Sequence, residues 1–163
     1  ADASITTIDL ANAVVLLTEN PEQLETLNKN PELWENAVEE ALRVDPPVLL
    51  TGRTTKTGAI IGEHRIPPGS AFVTLLAGAN RDPSVFAKPA EFDVSRANAR
   101  DHLSFSLGRH HCLGASLARM EGEVGLRMLF ERFPNLRVLP GGQRRPTKIL
   151  RGWEVLPVEL DQS

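Results

Sequence analysis

The sequence predicts a mainly α-helical fold with small β-hairpins set into it. Three observations carry that prediction. Asn-Pro pairs at 20–21 and 30–31 each open a helical stretch. From Gly52 to Leu76, Thr, Val and Ile alternate with polar residues between glycines and prolines, the pattern of short strands and turns. A long amphipathic run follows Cys112 and reaches about Arg132, where Pro134 stops it. At 163 residues, 41% hydrophobic and 24% charged, the chain has the length and composition of an ordinary globular protein with a sizeable core. A net charge of -3 speaks against a generalised nucleic-acid or membrane surface. One cysteine excludes an internal disulfide and a multi-cysteine zinc site, and fits a reducing, cytoplasmic setting. No signal peptide is visible, and no apolar run has the length of a bilayer span.

The elements follow in order. Ile8 to Leu17 is apolar nearly all round, as in a helix at a protein's centre, and the helix runs to about Thr18. Chains rarely begin a few residues before such an element, so an enclosing N-terminal part is expected beyond this one. Asn20 then serves as N-cap with Pro21 at the first helical position and Gln23 placed for a capping box. Asn30-Pro31 opens a helix to about Val44, closed by Asp45-Pro46-Pro47. Leu33, Ala37, Glu40 and Val44 share one face of it, which sets a carboxylate on an apolar stripe, with Arg43 as its natural partner. Ile66-Pro67-Pro68-Gly69 reads as a turn between strands. Residues 78–104 form an unusually long irregular loop, a feature that usually serves function. In the helix after Cys112, Leu113, Leu117, Met120, Val124 and Met128 lie on one stripe. The remainder, with Gly141-Gly142 and residues 151–158, reads as a terminal hairpin.

The chemistry concentrates at the mouth of that long helix, in Phe105-Ser106-Leu107-Gly108-Arg109-His110-His111-Cys112-Leu113-Gly114. Gly108 and Gly114 let the backbone turn tightly and approach a flat ligand. A cysteine just before a helix faces unpaired N–H groups and the positive helix end, which stabilise its thiolate. The loop reads Phe-x-x-Gly-x-x-x-Cys-x-Gly and resembles the haem-ligand signature of cytochromes P450. Val38-Glu39-Glu40-Ala41-Leu42-Arg43-Val44-Asp45-Pro46-Pro47-Val48 resembles a helix of the bacterial members. Ala79-Asn80-Arg81-Asp82-Pro83, then Phe86, Pro89, Phe92-Asp93 and Arg96, match the same family in order.

The resemblance implies that residues 1–163 are the C-terminal, haem-binding part of a single P450 domain whose N-terminal part is absent from this chain. The implied cofactor is haem b (iron protoporphyrin IX), with Cys112 as axial iron ligand. Phe105, Gly108 and Gly114 would sit around it, and Arg53 and His110 would bond its propionates. Glu40, Arg43 and Arg96 would form a buried structural triad. The implied activity is monooxygenation of a small apolar or secondary-metabolite substrate, using O2 and electrons from a ferredoxin-like donor. Arg96, Arg100, Arg109, Arg119, Arg127 and Arg132 would bring positive charge to the cysteine side for that donor. The alternative is a haem-binding or partner-stabilising homologue without oxygenase activity. Two departures stand out. The family's Ala-Gly-x-Asp/Glu-Thr-Thr motif carries an acid–alcohol pair that relays protons; aligning on Asn12-Ala13-Val14 puts Ser4 at the acid and Ile5 at the alcohol, while shifted registers bring in Asp2, Thr6 or Thr7. Ser106 stands where bacterial members usually carry glycine.

Overall fold

Helix α3 (Trp34–Val44) is buried along almost its whole length, and the other helices are laid around it. The computed structural model describes residues 3–161, with side chains from Ile5 onward. Asn30-Pro31 starts a single 3-10 turn, Pro31–Leu33, that feeds α3. Helices α1 (Ala3–Glu19) and α5 (Ala115–Arg132) flank α3, and α2 (Pro21–Lys29) closes one end. Their shared core holds Val14, Leu17, Leu27, Trp34, Val38, Leu42, Leu126 and Phe130, with Trp34 and Phe130 stacked at 6.1 Å.

Helix α5 meets its neighbours through small residues. A Cβ on Gly122 would lie 2.9 Å from Val38 Cγ1, and one on Gly125 would lie 3.3 Å from Leu10 Cδ2. Gly122 and Gly125, with the buried Leu126 and Phe130, make up the face of α5 that turns inward. The stripe of Leu113, Leu117, Met120, Val124 and Met128 therefore faces outward rather than into this core, with Leu117 44% and Met128 64% exposed.

The two Asn-Pro starts differ from the expected capping. Asn20 Nδ2 donates back to Leu16 O at 2.8 Å and Asn30 Nδ2 to Thr26 O at 2.9 Å, so each side chain closes the preceding helix. Gln23 makes no capping box either; its Oε1 accepts from Val94 N at 2.9 Å, a contact across the fold. A backbone donor across the fold in need of an acceptor outcompetes a local cap that water can replace.

Strand β1 (Leu50–Thr54) pairs antiparallel with β4 (Ala71–Leu75), and between them β2 (Ala59–Ile61) pairs with β3 (His64–Ile66). Gly69, at φ +78°, supplies the left-handed position in the Pro67-Pro68 turn. A short helix α4 (Leu76–Ala79) follows. From Asn80 to Gly114 the described chain has only two 3-10 turns, Ala99–Asp101 and Gly108–His110. The C-terminal segment is two nested antiparallel pairs rather than one hairpin. Strand β7 (Trp153–Val155) pairs back with β6 (Gln143–Arg144), whereas β8 (Val158–Glu159) pairs with β5 (Arg137–Val138). Leu156-Pro157 separates β7 from β8, and proline cannot extend a ladder through its nitrogen.

A cavity built on the Cys112 loop

The irregular stretch from 80 to 114 is held by side chains where no secondary structure holds it. Glu40, on the buried face of α3, bonds Arg43 in a two-point fork at 2.7 and 2.8 Å and Arg96 at 3.0 Å, and accepts Asp93 N at 3.1 Å. Arg43 uses its remaining donors on the carbonyls of Asn80, Pro89 and Glu91. Arg96 adds the carbonyls of Ala87 and Glu91. Five N–H groups in a fixed fork suit such a stretch of unpaired carbonyls. Two distant parts of the sequence, 40–43 and 93–96, thus converge on one buried carboxylate.

Asn80 and Glu39 do similar work nearer the cysteine, and nothing in their local sequence singles them out. Asn80 accepts Leu103 N at 2.7 Å and donates to Ser104 Oγ at 2.8 Å, while Ser104 Oγ donates to Leu42 O at 2.7 Å. Glu39 is buried and takes hydrogen bonds from Arg100 at 2.9 Å and Arg119 at 2.6 Å, and shares one with His102 at 2.9 Å. His102 Nδ1 accepts Ser104 N at 3.1 Å, so Nε2 carries the ring hydrogen and donates to Glu39. Burial alone would push the Glu39 carboxyl up, but the bonds from His102, Arg119 and Arg100 outweigh it and hold the group at about 2. Arg119 in turn lies 4.6 Å over the Phe105 ring. The sequence signal for Glu39 was masked by its neighbour Glu40, because α3 is buried on more than one face.

These ties fix the Cys112 loop. Cys112 N donates to Phe105 O at 2.9 Å, which closes it, and Gly108 takes φ +69° at its turn. Gly114 has an ordinary φ of -86° as N-cap of α5, so of the two glycines Gly108 alone takes a left-handed turn. Ser106 sits at φ +60°, where a Cβ costs roughly 1–2 kcal/mol, which gives a physical reason for glycine there. Arg53 donates to Gly52 O at 2.8 Å and to Ser106 Oγ at 3.4 Å, which draws β1 to the loop.

Cys112 is exposed and lines a cavity of about 570 Å³, within the size range of small-molecule sites. Leu42, Val48, Leu76, Phe105, Leu113 and Leu117 give it apolar walls, and His110 also reaches it. Of the other expected residues, Gly114 lines it, while Gly108 and Arg53 stand behind the lining. Ile5 and Thr6 of α1 lie on the wall; Asp2, and the side chain of Ser4, fall outside the described residues. The wall also includes Asp9, a buried acid that an apolar reading of Ile8 to Leu17 passes over.

The expected field of arginines is largely neutralised. Arg96 is committed to Glu40, Arg100 to Glu35 and Glu39, Arg119 to Glu39 and Arg127 to Glu131. Arg132 lies over the Phe133 ring. No helix among the described residues is long and apolar enough to cross a membrane.

A thiol beside a helix start, on an apolar cavity of this size and with glycine at the turn before it, suits a flat cofactor with a soft metal. The sequence comparisons point the same way. The family model for cytochrome P450 matches residues 15–159. A putative cytochrome P450 140 of Mycobacterium tuberculosis is 53% identical over 156 residues, which cover 95% of this chain and 36% of that protein. The 6-deoxyerythronolide B hydroxylase of Saccharopolyspora erythraea is 41% identical, covering 98% of this chain and 40% of its own length. Among solved structures, P450BioI in complex with an acyl carrier protein ligated to hexadec-9Z-enoic acid superposes with a TM-score of 0.91 at 40% identity, covering 96% of this chain and 41% of that one. The chain thus spans about two-fifths of the length of such relatives. With the family match running through the Glu40 triad, the irregular stretch and the cysteine loop alike, this chain belongs to the cytochrome P450 family.

Proposed function

We propose that residues 1–163 form the haem-holding part of a bacterial-type haem-thiolate monooxygenase that oxidises a small apolar substrate with O2 and electrons from a ferredoxin-like donor. The observation that carries this reading is the exposed Cys112 thiol on the wall of an apolar cavity of about 570 Å³. Bound there, haem b supplies the oxygen chemistry, with a thiolate as its electron-rich axial ligand. The residues supply the setting. Cys112 sets its sulfur just ahead of α5 on the cavity wall, where it would hold the iron. Phe105, with Arg119 over its ring, would limit water at the sulfur once the cofactor is bound. His110 and Arg53 are the candidate donors for propionate carboxylates, and Arg53 brings the fork geometry such a group takes best. Gly108 gives the loop its turn and Gly114 leaves the wall beside Cys112 open.

The apolar walls support an apolar substrate, as does the acyl chain carried in the P450BioI complex. The outward apolar stripe on α5 supports a covering partner, and the extra length of the relatives provides one in a P450-length protein. A haem-binding role without oxygenation is the second reading, favoured by Ile5 on the wall where the family carries an alcohol. Product formation with a surrogate ferredoxin and reductase separates the two. The ligand assignment is tested by Cys112→Ala. Its ferrous–CO spectrum is expected to lose the thiolate band that the wild type displays, and an unchanged band would defeat the assignment.

A further inference from the structure

Helix α3 buries two neighbouring carboxylates, and they serve different parts of the chain. Glu40 ties down the irregular stretch through Arg43 and Arg96, whereas the bonds of Glu39 lead toward the cysteine loop. Two of the Glu39 partners, Arg119 of α5 and His102, pack on one aromatic ring. The Arg119 guanidinium lies 4.6 Å over Phe105, and the His102 ring is tilted beside it with centroids 5.7 Å apart. His111 meets the same ring edge-on at 6.4 Å. Phe105 is bound in turn to the cysteine, because its carbonyl accepts Cys112 N at 2.9 Å, and both residues line the cavity. A continuous run of contacts therefore leads from a carboxylate on α3 to the turn that carries the sulfur.

Packing alone does not account for this arrangement. Buried ion pairs seldom add net stability, and apolar side chains of similar volume would seat α3 against α5 as well. They would not hold a cation over the face of an aromatic ring. Glu39 has 2% of its side chain exposed and is not part of the cavity wall, so its reach to the site runs through Arg119 and His102. Arg100 bonds the same carboxylate from the solvent side, with 61% of its side chain exposed.

We propose that Glu39 is a positioning residue for the iron site: through Arg119 and His102 it fixes the Phe105 ring at the Cys112 turn and keeps the reduction potential of the bound haem low. The inference rests on the haem-thiolate reading given above and adds a control point on a helix that does not touch the ligand. With the ring fixed, water is kept from the sulfur. A loosened ring admits water, whose hydrogen bonds draw charge from a thiolate and make the iron easier to reduce. The Glu39 carboxyl, held at about 2, is ionised throughout the neutral range, so both of its arms stay engaged there.

The test is a spectroelectrochemical titration of the haem-loaded wild type, Glu39→Gln and Arg119→Ala, with the ferrous–CO spectrum of each. The first substitution removes an anion and the second removes a cation. Acting as bare charges they would shift the potential in opposite directions, because an arriving electron is favoured by the loss of an anion and disfavoured by the loss of a cation. Acting through the ring, both should raise it, by about threefold or more in the one-electron equilibrium constant, with the thiolate band retained. In a Phe105→Leu background each shift should shrink to less than half. Opposite shifts, no shift, or full shifts in that background would overturn the proposal. Should Glu39→Gln fail to take up haem, Arg119→Ala decides alone, since Arg119 has 23% of its side chain exposed and is the milder loss; a lowered or unchanged potential there overturns the proposal. A wild type lacking the thiolate band would remove the haem reading itself, and this proposal with it.

Discussion

Two acids facing opposite environments show how far side-chain identity alone can be read. Glu39 and Asp9 both sit in helices rich in apolar residues, and both are buried. One gathers Arg100, Arg119 and His102, and the other has no hydrogen bond on Oδ1 among the described residues. Their ionisation therefore moves in opposite directions. For Glu39 the folded carboxyl ionises more readily than the unfolded one, so its contribution is complete above the ordinary value of 4.5 and is lost as pH falls through about 2. After discount for the solvent that reaches Arg100, that contribution is about 2 kcal/mol. Glu39→Gln should flatten the acid limb of the unfolding free energy between about pH 5 and 2, as urea titrations across that range would measure. Cys112 was legible because its ten-residue loop is distinctive. Neither acid was, since the state of each is set by groups far along the chain.

At the scale of elements, the period and the capping residues mark helices well but do not say which face turns inward. The outward stripe of α5 is the clearest case, since the contact with α1 and α3 runs through Gly122 and Gly125 instead. Gly152 plays a similar part between β7 and α1. A Cβ there would overlap the side chain of Ile8, which is itself buried on α1 and has little room to move. Gly152→Ala should destabilise the protein by about 1–3 kcal/mol, seen as a lower denaturant midpoint with an unchanged slope. A neutral result would mean that the C-terminal strands are looser against α1 than their geometry indicates. The two nested strand pairs at the C-terminal end belong here too, because strands only two or three residues long leave their pairing open until the sheet partners are in place.

Across the whole molecule, the Glu40 triad joins α3 to a stretch that has no ladder of its own. Removing Arg96 leaves a buried carboxylate short of one cation and strips donors from the carbonyls of Ala87 and Glu91. Breaking such a pair typically costs about 3–5 kcal/mol. Arg96→Ala should therefore lower the yield of haem-loaded protein sharply, read as haem absorbance per mole of chain. Arg96→Lys should rescue little, because one ammonium cannot reproduce the fork. Full haem loading in Arg96→Ala would refute the triad's role.

What the sequence determined by itself was local or motif-borne. Proline and glycine punctuation marked most element boundaries, and spacing around Glu40, Arg43 and Cys112 marked the family. These signals survive in one dimension because they depend on backbone sterics and on residues a few positions apart. Tertiary structure alone decided which face of α5 is covered, where Gln23 and Asn80 spend their hydrogen bonds, and that Asp9 reaches the cavity with its Oδ1 unbonded among the described residues. Each of those outcomes is a competition among groups distant in sequence, and burial settles it by making every unpaired polar atom costly.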